Sequence, residues 1–292
     1  MIDARAIVDP GAQLGERVRV GPWSIIGPDV ELGDDCVIDA HVIIRGPARI
    51  GARTRVSPFA SLGEGTPAVA FRGEATRLVI GHDNVIREGV TVHRGTVQDR
   101  GETRIGNHNL LMPYVHVGHD SVLGDHCILA NNASVSGHCL VGDYANLGGY
   151  SGVPQYRSIG AHAFVGGMSL VLKDVPAYVS VSGNPARALG INQEGMRRRG
   201  FDSDAIAEVR QAWRTVYRSG LRLDEAMKVL AALPDPGEHL VVFIASLRAA
   251  RHGIVRPRSA AADAGADTDA GASAGASAGA SVDTPPDSGM ND

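Results

Sequence analysis

Aromatic residues make up only 4% of this 292-residue chain, which excludes a core built around large rings. Cysteine is almost as scarce. Cys36, Cys127 and Cys139 have no metal-ligand spacing, and pairing any two would leave one thiol over. A disulfide framework and a zinc ribbon are thereby excluded, and the three are expected to be buried, reduced thiols of a cytoplasmic protein. No apolar run approaches the roughly 20 residues that cross a bilayer as a helix; the most apolar helical stretch is Leu240 to Leu247. Met1-Ile2-Asp3-Ala4-Arg5 offers neither a charged n-region nor an apolar h-region, so no secretory signal is expected. Net charge is −4, but residues 259–292 hold six aspartates and no Lys or Arg, leaving +2 for the remainder. Without a basic excess, nucleic acid is not an expected partner.

What the chain has in abundance is glycine, 37 residues, and aliphatics at a fixed interval. Ile2, Val8, Leu14, Val20, Ile26, Leu32, Ile38, Ile44, Ile50, Val56 and Leu62 fall on every sixth position. Ile80, Ile86 and Val92 keep the frame, and after a slip of one residue the pattern runs unbroken from Ile105 through Leu111, Val117, Leu123, Leu129 and Val135 to Val171. Many of these aliphatics are followed by glycine, as in Leu14-Gly15, Leu32-Gly33 and Val117-Gly118. A short strand with its aliphatic inward, then a tight corner where a Cβ would clash, accounts for both members of the pair. Three such units close a triangular coil of about eighteen residues, so the period predicts an all-β solenoid, the left-handed parallel β-helix of hexapeptide repeats.

The repeat predicts a β-helix over 1–185 with external loops at about 64–77 and 94–104, where the period fails. Loops on a rigid solenoid are favoured places for binding chemistry. Beyond Pro176 the pattern turns helical. Asp202 and Ser203 are candidate caps for a helix carrying Ile206, Val209, Trp213 and Val216 and ending near Gly220. Leu223 to Leu233 and Gly237 to His252 read as two more helices, giving a small helical domain over 186–256. From 257 to 292 the Ala/Gly/Ser/Asp-rich composition predicts a disordered tail.

Eleven histidines are candidates for chemistry. His119 and His138 are nineteen apart, one coil plus one residue, and should lie together on successive coils. His93 and His116 fall on neighbouring coils if the second loop adds about one coil of chain. His119 precedes Asp120, a carboxylate able to orient an imidazole or stabilise its cation. From the residues alone, His119 is either a catalytic base or a solvated surface histidine.

The run Ile86-Arg87-Glu88-Gly89-Val90-Thr91-Val92-His93-Arg94-Gly95-Thr96 resembles the acyl-carrier-protein-dependent UDP-N-acetylglucosamine O-acyltransferases of lipid A synthesis. So do Asn109-Leu110-Leu111-Met112, Val115-His116-Val117-Gly118-His119-Asp120, Leu129-Ala130-Asn131-Asn132-Ala133 and Gly195-Met196-Arg197-Arg198-Arg199-Gly200-Phe201. The resemblance covers residues 1–256. It implies a cytoplasmic homotrimer with its active site between solenoids, acyl carrier protein and UDP-N-acetylglucosamine as substrates, and neither cofactor nor metal. By the same resemblance His119 is the general base with Asp120 beside it, and Gly137 supplies the oxyanion N–H. His93, His116, His138 and Gln155 contact the sugar nucleotide or acyl chain. Asn192, Glu194 and Arg199 hold uridine and phosphates, with Arg198 a neighbouring basic position. Gly167, beside Met168, limits acyl length, and glycine there implies a long donor of roughly fourteen carbons.

Two departures stand out. Where the family has an Asp-x-Lys pair in the first loop, this chain reads Ala68-Val69-Ala70, with Arg72 as the nearest substitute cation. Where it has a histidine before Gln155, this chain has Pro154. They keep open an acyltransferase with another sugar-nucleotide acceptor, or a non-catalytic paralogue. A metal-dependent hexapeptide enzyme of the γ-carbonic anhydrase kind, using His116, His119 and His138, is a further alternative.

Overall fold

In a computed structural model, residues 1–257 are described except Ala68 and Ala70. Of the expected tail, 258–292 lies outside the described residues. Among the described residues, strands of two to five residues form sheets of eight, eight and ten strands, parallel except for one pair at the end of the third. The chain is a left-handed parallel β-helix, as the period predicts. Its first face begins at Ile7–Val8, its second at Gln13–Leu14 and its third at Arg19–Val20. Partners are eighteen apart: Ile7 pairs with Ile25, Gln13 with Glu31 and Arg19 with Val37.

Two side chains per unit point inward. One is the repeat aliphatic, whose burial contributes about 1.5–3 kcal/mol per residue. The other, two residues earlier, is usually small: Cys36, Val42, Ala48 and Thr54 in early coils, Cys127, Ala133, Cys139 and Ala145 in later ones, all buried. A prism this narrow leaves no room for rings, hence the scarcity of aromatics. All three cysteines occupy this inward position and are free. Burial pushes the Cys127 thiol up to about 12 and that of Cys139 up to about 11, so neither is a nucleophile at neutral pH.

The glycine after the aliphatic is needed for close approach between coils. A Cβ on Gly118 would lie 2.6 Å from the Gly137 nitrogen. The left-handed residue of a corner comes two places later and is usually not glycine: Asp120 (φ 58°), His138 (φ 62°) and Tyr144 (φ 59°) are examples, with Gly89 (φ 66°) an exception. Corner residues therefore stack outward in columns along the three edges of the prism.

Both loops leave from the edge between the first and second faces. Ser61 pairs with Thr91, and Thr91 with His116, so the loops insert twelve and seven residues into coils of eighteen. The second is well short of a full coil, yet His93 and His116 do fall on adjacent coils.

The third face ends in an antiparallel hairpin, Val179–Ser182 with Arg187–Ile191, so sheet bonding continues past residue 185 to Ile191. Four helices follow among the described residues: α1 (Gln193–Arg198), α2 (Ser203–Tyr217), α3 (Leu223–Ala231) and α4 (Glu238–Ala249). Asp202 caps α2 by accepting from the Ala205 amide at 2.7 Å, and Ile206, Val209, Trp213 and Val216 form its buried face. The buried Asp174 carboxylate accepts from the amides of Ser158, Arg251 and His252, fastening the helical region to the end of the solenoid. Among the described residues no helix is long and apolar enough to cross a membrane.

Candidate active site

The eighteen-residue register builds two columns on the edge that carries the loops. His119, Gly137 and Gln155 stack in one; Asp120, His138 and Tyr156 stack in the other. His119 Nδ1 lies 2.9 Å from Asp120 Oδ2. Asp120 is fully buried, and the second loop reaches back to satisfy it: the Thr96 amide donates to both carboxylate oxygens at 3.0 Å and the Thr96 hydroxyl to Oδ2 at 2.7 Å. Burial works against its charge, but the Thr96 donors and the His119 ring outweigh it and hold the carboxyl below the usual carboxylate range. An ionised carboxylate accepts Nδ1–H and leaves Nε2 with its lone pair outward, the tautomer a general base requires.

Glycine at 137 keeps that nitrogen accessible, because a Cβ there would sit 2.6 Å from His119 Nε2. The Gly137 N–H makes no hydrogen bond among the described residues, so a backbone donor lies free beside the imidazole.

The other predicted histidines surround this pair. The His138 ring meets His119 edge-on at 4.7 Å and stacks on Tyr156 at 4.4 Å. His93 and His116 lie 5.1 Å apart, and Thr91 Oγ1 is 2.8 Å from His116 Nδ1. His93 Nδ1 is buried without a partner. Gln155 is exposed at the rim.

Asn192, Glu194, Arg198 and Arg199 lie elsewhere, on the edge between the second and third faces. With His126, Tyr144 and His162 they line a cavity of about 550 Å³. Asn192 is already committed: its Oδ1 accepts from the Gly195 amide, capping α1, and its Nδ2 donates to the His162 carbonyl. Glu194 pairs with Arg198 at 2.9 Å. Arg199 lies over the Tyr144 ring at 4.6 Å with no carboxylate partner among the described residues, which leaves its donors for an anion. Gly167 and Met168 occupy the third edge, where Met168 is exposed. Each edge of the prism thus carries one part of the predicted site.

Comparison with known proteins gives the chain a family. A family model described as Udp N-acetylglucosamine O-acyltransferase, domain 2, matches residues 174–255, and one for bacterial transferase hexapeptides (six repeats) matches residues 102–137. The acyl-[acyl-carrier-protein]–UDP-N-acetylglucosamine O-acyltransferase of Saccharophagus degradans is 55% identical over 255 residues, 87% of this chain and 99% of that protein. The chain belongs to this family. Its Pseudomonas paraeruginosa member is also 55% identical, over 88% of this chain and 99% of that protein. Among solved structures, the Moraxella catarrhalis UDP-N-acetylglucosamine O-acyltransferase superposes with TM-score 0.86 at 46% identity, covering 87% of this chain and 99% of that one. The Arabidopsis acyltransferase does so with TM-score 0.77 at 30% identity, covering 87% and 100%.

The family's frame makes the sequence departures readable. Ala68 and Ala70 lie outside the described residues, but Arg72 beside them donates to the carbonyls of Val69 and Phe71, so it is engaged within its own loop. Within one chain, and among the described residues, His116, His119 and His138 do not converge on one point. The groups that converge are His119, Asp120 and His138, whereas His116 turns to Thr91 and His93. Sequence reading missed Thr91 and Tyr156 as partners of the histidines and Thr96 as the partner of Asp120; the interrupted period at 94–104 was the only signal for Thr96.

His116 also gives the protein a pH dependence. Burial first, then the neighbouring His93 and His119, lower its pKa from the ordinary 6.5 to about 4. His162 is lowered to about 4 by burial and then by Arg199. Between pH 6.5 and 4 the unfolded chain binds protons that the folded chain does not, so stability is intact above 6.5 and falls as pH drops through this window. Urea midpoints measured across it should decline, and the decline should be shallower in His116→Gln; an equal slope in both would remove His116 from the effect.

Proposed function

We propose that this chain transfers a 3-hydroxyacyl group from acyl carrier protein to the 3-hydroxyl of UDP-N-acetylglucosamine, the first step of lipid A biosynthesis, in the cytoplasm and without cofactor or metal. The observation that carries this reading is the His119–Asp120 pair with Gly137 facing Nε2. His119 Nε2 takes the hydroxyl proton as the oxygen attacks the thioester carbonyl. The Gly137 N–H stabilises the tetrahedral oxyanion, and Asp120 stabilises the imidazolium. The C–S bond then breaks, and the imidazolium returns its proton to the departing thiolate. His93, His116, His138 and Gln155 line the acceptor and acyl path, while Glu194, Arg198 and Arg199 serve the nucleotide, with Asn192 holding the cap that places them.

A homotrimer reconciles the three edges. Along the edge between the third and first faces run the exposed Trp23, Phe59, Tyr114, Tyr150 and Met168, apolar surface suited to a central contact. With that edge on the threefold axis, the first face of one subunit meets the third face of the next. His119 of one copy then faces Arg199 of its neighbour, and the groove runs inward past Ser134 and Gly152 to Gly167. Glycine there leaves the groove open to a long chain. The test is an assay with UDP-N-acetylglucosamine and a panel of 3-hydroxyacyl carrier proteins. Acylated sugar nucleotide should form fastest with about fourteen carbons, since each buried methylene is worth about 0.8 kcal/mol, and Gly167→Met should move the optimum to a shorter chain. Product only with another sugar nucleotide would overturn the acceptor; an optimum unchanged by Gly167→Met would remove Gly167 from the ruler role.

A further inference from the structure

The second external loop does more than cover Asp120. It folds on itself, the amides of Asp99 and Gly101 both reaching the Thr96 carbonyl, and this turn carries Asp99 to the His138 ring. Asp99 Oδ2 lies 2.7 Å from His138 Nδ1. The site therefore contains two imidazole–carboxylate pairs side by side: His119 with Asp120 from the solenoid corner, and His138 with Asp99 from the loop. The His138 side chain is 10% exposed against 38% for Asp99, so the carboxylate approaches a nearly buried ring from the solvent side. Other groups face the same ring. Asp120 Oδ2 is 4.0 Å from His138 Nδ1, His119 is edge-on and Tyr156 is stacked beneath; Arg100 is 4.0 Å from Asp99.

We propose that Asp99 is a positioning residue for the acyl transfer, fixing which nitrogen of His138 faces the cleft. The ring is clamped between His119 and Tyr156, so its remaining freedom is a half-turn about its own axis, which exchanges the outward nitrogen. Donation of Nδ1–H to Asp99 selects one of the two orientations and presents Nε2 to the substrate. A second consequence is linkage within the loop: Thr96 and Asp99 are three residues apart and each holds a member of a different pair, so ordering the loop orders both imidazoles together. This rests on the proposed reaction, in which His138 contacts the acceptor or acyl chain.

Two measurements separate failure of this inference from failure of that reaction. Nitrogen-15 NMR of His138 in the full-length protein needs no turnover: the wild type should show the ring protonated at Nδ1 with that proton hydrogen-bonded, and Asp99→Ala should lose that signature while the His119 signals remain. In the acyl-transfer assay, Asp99→Ala should raise KM for the sugar nucleotide about tenfold with kcat changed less, the loss expected for one hydrogen bond to a charged partner. Asp99→Asn, which keeps an acceptor oxygen, should recover most of it, and in a His138→Ala background Asp99→Ala should add nothing. An unchanged His138 signature in Asp99→Ala, or an equal penalty with and without His138, would overturn the proposal. If the wild type acylates no UDP-N-acetylglucosamine, the proposed reaction fails and the NMR result alone decides the pairing.

Discussion

Replacing His119 with alanine is expected to lower kcat by about 10²–10⁴-fold, the range general-base catalysis supplies. KM for the sugar nucleotide should change little, because the proposed nucleotide contacts lie on a different edge of the prism. The fold should not suffer: the ring sits at a corner, outside the column of aliphatics that fills the interior, and its side chain is 12% exposed. Asp120 is different. Its carboxylate anchors the Thr96 amide and hydroxyl as well as His119, so Asp120→Ala should lose activity and loosen the second loop together. Steady-state kinetics alongside thermal melts distinguish the two. A His119→Ala protein that keeps near-normal kcat would end the general-base assignment.

Mixing two impaired proteins should restore activity. If His119 of one subunit works with Arg199 of the next, His119→Ala homotrimers fail in chemistry. Arg199→Ala homotrimers should lose about 10–100-fold at low sugar nucleotide, as expected when one arginine–phosphate contact is removed. Co-expressed in equal amounts, the two variants assemble randomly, and about one site in four is intact on both sides of the interface. Recovery of about a quarter of wild-type activity is the expected result, with light scattering reporting a trimer. No recovery in a mixed trimer would place both halves of the site within one subunit and refute the edge assignment.

The site was partly legible for a specific reason. His119 and His138 both follow the last loop, where the register is unbroken, so counting nineteen residues correctly placed them on adjacent coils. His93 and His116 straddle the second loop, and counting alone left their proximity conditional on its size. Asp99 was invisible because a loop turn, and not the period, brings it to His138. Helices α2, α3 and α4 were legible from their spacing and α2 from its cap as well; α1 and the hairpin of Val179–Ser182 with Arg187–Ile191 were not, the hairpin because only the chain reversal distinguishes it from the parallel strands before it.

The six-residue period determined by itself that this chain is a triangular solenoid, because an inward aliphatic at that spacing has no other regular fold to fill. It also determined which residues stand at corners. The tertiary structure decided which edge each corner belongs to. Ile80 is eighteen residues beyond Leu62, which by counting returns it to the same face; the structure puts Leu62 on the first face and Ile80 on the second, because twelve of the intervening residues leave the solenoid. Twelve is a multiple of six, so the frame is preserved, and the failed period at 64–77 marks the loop without showing the change of face. Face identity depends on position within eighteen, and that is settled only where the loop re-enters and its backbone finds hydrogen-bond partners. Past the last loop the count holds and separates His119 from Gly167, but Arg199 lies beyond the repeat, so its place on the remaining edge, from which the proposed trimeric site follows, was a property of the folded chain.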